Sequence, residues 1–283
     1  MPATIPSCPP RKRRLAAAAR FGGATAAATA WERRRPALRI VNCHSVPSRF
    51  AGSFAAQVRQ LSRSWTFASP SDLRDLLQRG VKRPTLLFCF DDGLANTIRY
   101  ASPILEAAGA RAIFAVPAAW PDIAPDERRS WFRRHVYPTP TELHELEEDI
   151  EAASWEDLRA LVSRGHEVWS HGLDHVRLRE DTPPDVLERE IVDSKAILER
   201  RLMTTVHGYC PPVSYTVPPD GLALISATYD LAFGGRPSRV PIQGDVLQIP
   251  RSNIEASWPW TVVEMQLSPL GDAMSRALER LRA

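Results

Sequence analysis

The chain has 283 residues, with 44% hydrophobic and 24% charged side chains and a net charge of +3. These values exclude a fully disordered, collagen-like or disulfide-scaffold chain, and no apolar run reaches the roughly eighteen residues of a membrane-spanning helix. The four cysteines, Cys8, Cys43, Cys89 and Cys210, stand far apart without a CxxC pair, which reads as reduced, partly buried thiols rather than a structural zinc site.

The charge is unevenly spread. Residues 1–35 carry eight Lys/Arg against one acid, Glu32, which leaves the rest of the chain at −4. A basic Ala/Arg-rich arm (1–36) therefore precedes a mildly acidic body (37–283). A body without a concentrated basic face is not a nucleic-acid binder. Arg11–Arg14 and the small residues Ala28-Thr29-Ala30 outline an export signal, but Leu15–Ala19 is too short for its apolar stretch. The expectation is a cytoplasmic chain whose arm is solvated or docks on the body as a short helix. Nothing in the sequence sets an oligomeric state.

Leu38-Arg39-Ile40-Val41-Asn42-Cys43 reads as a first strand, ending at His44. Phe54, Val58 and Leu61 share one helical face. Ser71 is placed to cap a helix that stops at Gly80. Thr85–Phe90 is a continuous apolar run, as expected of a strand buried on both faces, and it ends in Asp91-Asp92-Gly93. A helix over about 96–108 and a strand at Ala112–Val116 follow. Residues 118–150, with Trp120, Trp131, Phe132 and Tyr137 among prolines and charges, are too long for an ordinary loop and read as an insertion, a lid or wall over the barrel mouth. Ser154 and Asp157 form a capping box for the next helix. Glu167–Ser170 is a strand followed by His171-Gly172-Leu173-Asp174-His175. Thr182 and Asp185 flank Pro183-Pro184 as caps of a helix to about Leu202. A strand at Val206–Tyr209 leads to Cys210, and a helix near 221–227, strands at Leu231–Phe233 and Val246–Ile249, and a helix near 269–281 finish the chain. Strands alternating with helices mean parallel βα units, here a distorted (β/α) barrel.

In such barrels the chemistry collects at the C-terminal ends of the strands. His44, Asp91, Asp92, His171, His175, Cys210 and Arg251 all fall there. Two adjacent carboxylates repel each other, and a cation or a shared proton relieves them, although Asp-Asp-Gly is also the composition of a capped turn. His171 and His175 can reach one metal from a tight turn or helix, although alone they are as readily two surface histidines. A carboxylate and two histidines leave open positions. That suits catalytic zinc, and equally a non-heme iron oxygenase. The spare carboxylate favours hydrolysis, which needs a base.

Phe90-Asp91-Asp92-Gly93, Ser170-His171-xxx-His175 and Tyr209-Cys210-Pro211-Pro212 resemble, in this order, the signatures of the polysaccharide deacetylases, the NodB-homology domain of carbohydrate esterase family four. Ile40-Val41-Asn42-Cys43-His44-Ser45-Val46 is similar to the start of the exopolysaccharide-deacetylase branch. The resemblance covers roughly residues 38–268. It implies a hydrolase that removes N-acetyl, or less often O-acetyl, groups from an acetylated carbohydrate. It also implies one divalent metal, commonly zinc, with cobalt, nickel or manganese as substitutes. Asp92, His171 and His175 would be the ligands and Asp91 the general base.

The third signature departs from the family. Cys210 stands where an arginine usually orients the base, and Val213-Ser214 replaces Tyr-Gly. The Val213 N–H can still serve the oxyanion, because a backbone donor does not depend on its side chain. Arg251, expected at the end of a later strand, can replace the lost arginine and steady Asp91 as a carboxylate. The same departure fits an inactive metal- or carbohydrate-binding relative. The late Leu-His signature is also absent. His166 and His207 belong toward the far end of the barrel, and His135 and His144 fall in the insertion. That leaves His44 as general acid. Trp258 and Trp260 either stack on sugar rings or cap the barrel.

Overall fold

The six residues of Leu38–Cys43 (β1) and of Thr85–Phe90 (β3), and the five of Ala112–Val116 (β4), are all buried. Neighbouring parallel strands cover their edges, so apolar side chains are stable on both faces. The computed structural model describes residues 10–21, 23, 27, 35–136, 150–213 and 216–280. Thr66–Phe67 (β2), Glu167–Ser170 (β5), Gly208–Tyr209 (β6), Leu231–Ala232 (β7) and Arg251–Asn253 (β8) complete a parallel sheet. Its order is β7-β6-β5-β4-β3-β1-β8, with β2 alongside β3. Phe233, just past β7, bridges in parallel to Ile249, just before β8, so the two edges of the curled sheet meet. The architecture is a distorted (β/α) barrel with helices outside. Phe54, Phe88, Phe90 and Phe114 are buried between the sheet and its helices, with Phe90 stacked on Phe114 at 5.0 Å.

Several local expectations shift. Ser69, not Ser71, forms the capping box with Asp72, and it opens a 3₁₀ turn before the helix Leu73–Arg79. Thr182 caps no helix: its Oγ1 accepts the Arg179 N–H at 2.7 Å, while Pro183 occupies the N-cap and prolines set the entry. The helix to Leu202 contains a π turn at Arg189–Asp193. The last strand is Arg251–Asn253 rather than Val246–Ile249. Arg251 pairs with Ile40 of β1, so it lies inside the strand and not beyond its end. The Ser154–Asp157 capping box is present.

The described part of the insertion is not an exposed flap. Trp120, Trp131 and Phe132 are buried, and Trp120 stacks on Trp131 at 4.9 Å with 17° between planes. The helix Arg128–His135 (α5) forms a side wall of the barrel mouth, since its last residue bonds to the loop after β5. Tyr137 and His144 lie outside the described residues. In the basic arm, Pro10–Phe21 (α1) is a helix that docks on the body through the fully buried Ala16. Lys12 Nζ lies 4.6 Å from the Trp258 ring centre and donates to Gln266. Trp258 is therefore 5% exposed and packed in the core beneath α1. Its face is not open to a sugar, which corrects the expectation that it stacks on substrate. Trp260, half-buried, begins a helix, Trp260–Gln266 (α10), that sequence periodicity had left unassigned.

Candidate active site

β3 delivers Asp91 and Asp92 side by side at the barrel mouth, both nearly fully buried. Asp92 takes a left-handed backbone (φ 70), a conformation Asp tolerates better than most side chains, so the two carboxylates diverge. Asp92 turns toward the loop after β5. Its Oδ1 lies 3.4 Å from His171 Nε2 and 3.3 Å from His175 Nε2. Each imidazole is oriented by a backbone carbonyl: His171 Nδ1–H donates to Cys210 O at 2.7 Å and His175 Nδ1–H to His135 O at 2.8 Å. A carbonyl only accepts, so the proton on Nδ1 is required and Nε2 is the atom presented to Asp92.

This donor set fits a divalent cation. One carboxylate oxygen and two imidazole nitrogens lie within 4.8 Å of one another, all buried. Asp92 Oδ2 is buried with no hydrogen-bond partner. Metal-bound histidines characteristically donate their other ring N–H to a carbonyl or carboxylate, as both do here. Burial opposes ionisation of Asp92, but His171, His175 and the charge of His44 outweigh it and hold the carboxyl well below the usual range. Asp91, His171 and Cys210 form an equally compact set. A cation there would meet the Arg251 guanidinium, which already occupies Asp91 Oδ1.

Asp91 turns the other way. Its Oδ1 accepts from Arg251 Nη1 at 2.6 Å, and the thiols of Cys89 and Cys210 approach the same oxygen at 3.5 and 3.6 Å. Its Oδ2 accepts from Asn42 Nδ2 at 3.2 Å and faces His44 Nε2 at 3.8 Å. Burial disfavours the charge, but Arg251 foremost, then His171 and His44, hold the Asp91 carboxyl far below its ordinary value. Arg251 reaches the carboxylate from within β8 because its side chain is long and inward-pointing, with the guanidinium 4.7 Å from the Phe233 ring centre.

His44, at the end of β1, is 30% exposed at its side chain and so faces the mouth. Its Nδ1 bonds to Glu255 Oε1 at 2.8 Å. Burial works against the charged ring, but Glu255 outweighs it and pushes His44 up to about 10. Asn253 Nδ2 also donates to Glu255 Oε1 at 3.0 Å, and Gln57 Nε2 holds that loop through the carbonyls of Glu255 and Trp258. Val213, past the end of β6, is exposed with φ 57, an unusual backbone for a β-branched residue. His166 is buried at the opposite end against Glu106 and the Ala112 N–H, and His207 is paired with Asp230. Cys8 lies outside the described residues.

The structure thus gathers Asp91, Asp92, His171, His175, His44 and Arg251 around one mouth. Sequence reasoning missed Asn42, Glu255, Gln57 and the carbonyl of His135. Two signals were available: Asn42 interrupts an otherwise apolar strand core, and Glu255 is a lone acid in Ile254–Trp258 just past β8.

No curated protein matches the chain. Among solved structures it is similar to the deacetylase PplD of Streptococcus pyogenes, at 16% identity and a TM-score of 0.64 over 82% of this chain and 98% of that one. It is similar to IcaB from Ammonifex degensii, at 18% and 0.61 over 86% and 98%. It is also similar to the BpsB deacetylase domain from Bordetella bronchiseptica, at 17% and 0.59 over 78% and 96%. These likenesses show a shared fold. The family model described as polysaccharide deacetylase matches residues 78–220, half of the chain, and that stretch carries Asp91, Asp92, His171 and His175, so the chain belongs to the polysaccharide deacetylase family.

Proposed function

We propose that the protein is a metal-dependent hydrolase that removes N-acetyl groups from an extracellular-type polysaccharide. The observation that carries this reading is the divergence of two adjacent carboxylates. Asp92 faces two imidazoles whose outer nitrogens are fixed by carbonyls, while Asp91 faces an arginine and His44. Asp92, His171 and His175 would hold the metal, and zinc is the ion that uses such a set, with open positions, for hydrolysis. When bound, a divalent metal polarises the acetyl carbonyl and makes a neighbouring water acidic enough to lose its proton near neutral pH.

The rest of the reaction falls to side chains of this chain. Asp91 stays ionised because Arg251 and Asn42 hold it, and it accepts the water proton. The water oxygen forms the new bond to the acetyl carbon. The Val213 N–H would donate to the resulting oxyanion. As the C–N bond breaks, His44 Nε2 gives its proton to the departing nitrogen, and acetate and the free amine result. Glu255 keeps His44 charged for that step. Arg251 takes the place that Cys210 leaves without a guanidinium.

Acetate release from N-acetylated sugar oligomers, measured on protein stripped of metal and then reloaded with zinc, tests the reading. Activity that returns only with metal supports it. Binding of the oligomer without acetate release would instead identify a carbohydrate-binding relative.

A further inference from the structure

In the loop that carries His171 and His175, the N–H groups of residues 171–174 and 176 are bonded, and one side chain accounts for three of them. Glu190 is 1% exposed, on the helix that follows. Its Oε2 accepts from Leu173 N at 3.0 Å and Val176 N at 3.2 Å, and its Oε1 accepts from Asp174 N at 3.0 Å. From the opposite side, Ala118 N and Ala119 N donate to Gly172 O and Leu173 O, and His135 Nδ1 donates to Asp174 O at 2.8 Å. Gly172 has φ 81, and a Cβ there would collide with Glu190 Oε2. Glycine at that position is what lets the carboxylate sit inside the loop.

Buried N–H groups without partners are costly, so a loop turned back on itself must find acceptors or open to water. Neither β5 nor α5 supplies acceptors for residues 173, 174 and 176. We propose that Glu190 is a positioning residue of the metal site. Its carboxylate is the template on which residues 171–176 close, and this keeps His171 Nε2 and His175 Nε2 at one spacing whether or not metal is bound. The inference rests on the metal reading above and adds a residue that touches neither metal nor substrate.

Glu190→Gln keeps the size of the side chain but turns one acceptor into a donor that faces a loop N–H. Titration of the stripped protein with Co²⁺ should give a dissociation constant about 10–100-fold weaker than wild type. The visible absorption of the bound Co²⁺ should change in shape, and Glu190→Asp should recover part of the affinity. A merely structural role would lower the melting temperature and leave the Co²⁺ constant and spectrum as in wild type; a folded variant with that outcome overturns the proposal. If Glu190→Gln does not fold, amide exchange of the metal-free wild type decides. Leu173, Asp174 and Val176 should be protected like the barrel strands, and exchange at open-loop rates overturns the proposal. Wild-type protein that takes up no Co²⁺ would overturn the metal reading and this inference together, a result distinct from wild type and variant binding Co²⁺ equally.

Discussion

On the His171–His175 side of the mouth, backbone carbonyls aim the functional atoms. On the His44–Arg251 side, other side chains do. The first side is close in sequence: two histidines in one loop, a carbonyl from Cys210, a carbonyl from α5 and the Glu190 carboxylate. The second draws on residues from Asn42 to Glu255, and the contacts that aim Asp91 and the His44 ring are between side chains. A carbonyl survives almost any substitution of the residue that bears it, so Cys210 can orient His171 while lacking the arginine of its signature. A guanidinium can be supplied from any strand that reaches the same carboxylate, and here β8 supplies it. The family model matches the stretch that holds the first side and ends before Arg251 and Glu255. The difference is one of dependence: a group held by a carbonyl does not depend on the identity of the residue that holds it, and a group held by a side chain does.

Breaking the carbonyl-held side should have the largest effect. His171→Ala removes one of three clustered ligand atoms and should abolish both metal retention after dialysis and amide hydrolysis. Full metal content in that variant, by elemental analysis, would remove His171 from the metal centre. On the other side, His44→Asn should leave metal content unchanged while amide hydrolysis falls ~10²–10⁴-fold. An activated aryl acetate should suffer much less, because its leaving group needs little protonation. Equal losses on both substrates would show that His44 is not the proton donor.

Arg251→Met sharpens the comparison further. It leaves Asp91 buried beside His44 and two thiols without its strongest partner, and breaking a buried ion pair costs roughly 3–5 kcal/mol. The Asp91 carboxyl, now held low, should rise toward its ordinary value. The base form is then lost at a higher pH on acidification, so the acid limb of the pH–rate profile moves up, and urea unfolding should show the lower stability. An unchanged limb at unchanged rate would take Arg251 out of the site. The smallest effect concerns His166, the buried histidine at the far end. There Nδ1 accepts the Ala112 N–H, the reverse of its role in His171 and His175. Burial holds His166 below its ordinary value, so the unfolded chain binds the proton first. Its contribution to stability is full above the ordinary histidine range and is lost as pH falls through it. The difference in urea midpoint between His166→Gln and wild type should therefore move in favour of the variant as pH falls from neutral to about pH 5.

Much of this was legible along the chain because the signals are local. The runs 86–90 and Ala112–Val116 are apolar at every position and all buried, so their strands could be read directly. Asp91-Asp92 and His171-xxx-His175 are short patterns on single turns. The short strands β6, β7 and β8 carry too few residues for periodicity to place them, and pairing alone fixes where they begin. That is why Arg251 was expected after a strand and is found inside one. Trp258 reads the same on sequence whether it lies at the mouth or in the core, and only the docking of α1 through Ala16 and Lys12 buries it.

The sequence by itself determined the parallel βα order, the strand ends that bear chemistry, the two carboxylates and the paired histidines. Each of these depends on residue type at short spacing, where the backbone leaves few choices. Only the tertiary structure decided that Asn42 joins Arg251 on Asp91, that Glu255 bonds to His44, and that α5 and Glu190 brace the ligand loop. Those are contacts between residues as many as 211 positions apart, such as His44 and Glu255, and no local preference encodes them. They exist because closing the barrel brings β8 beside β1 and turns the ends of all its strands toward one mouth.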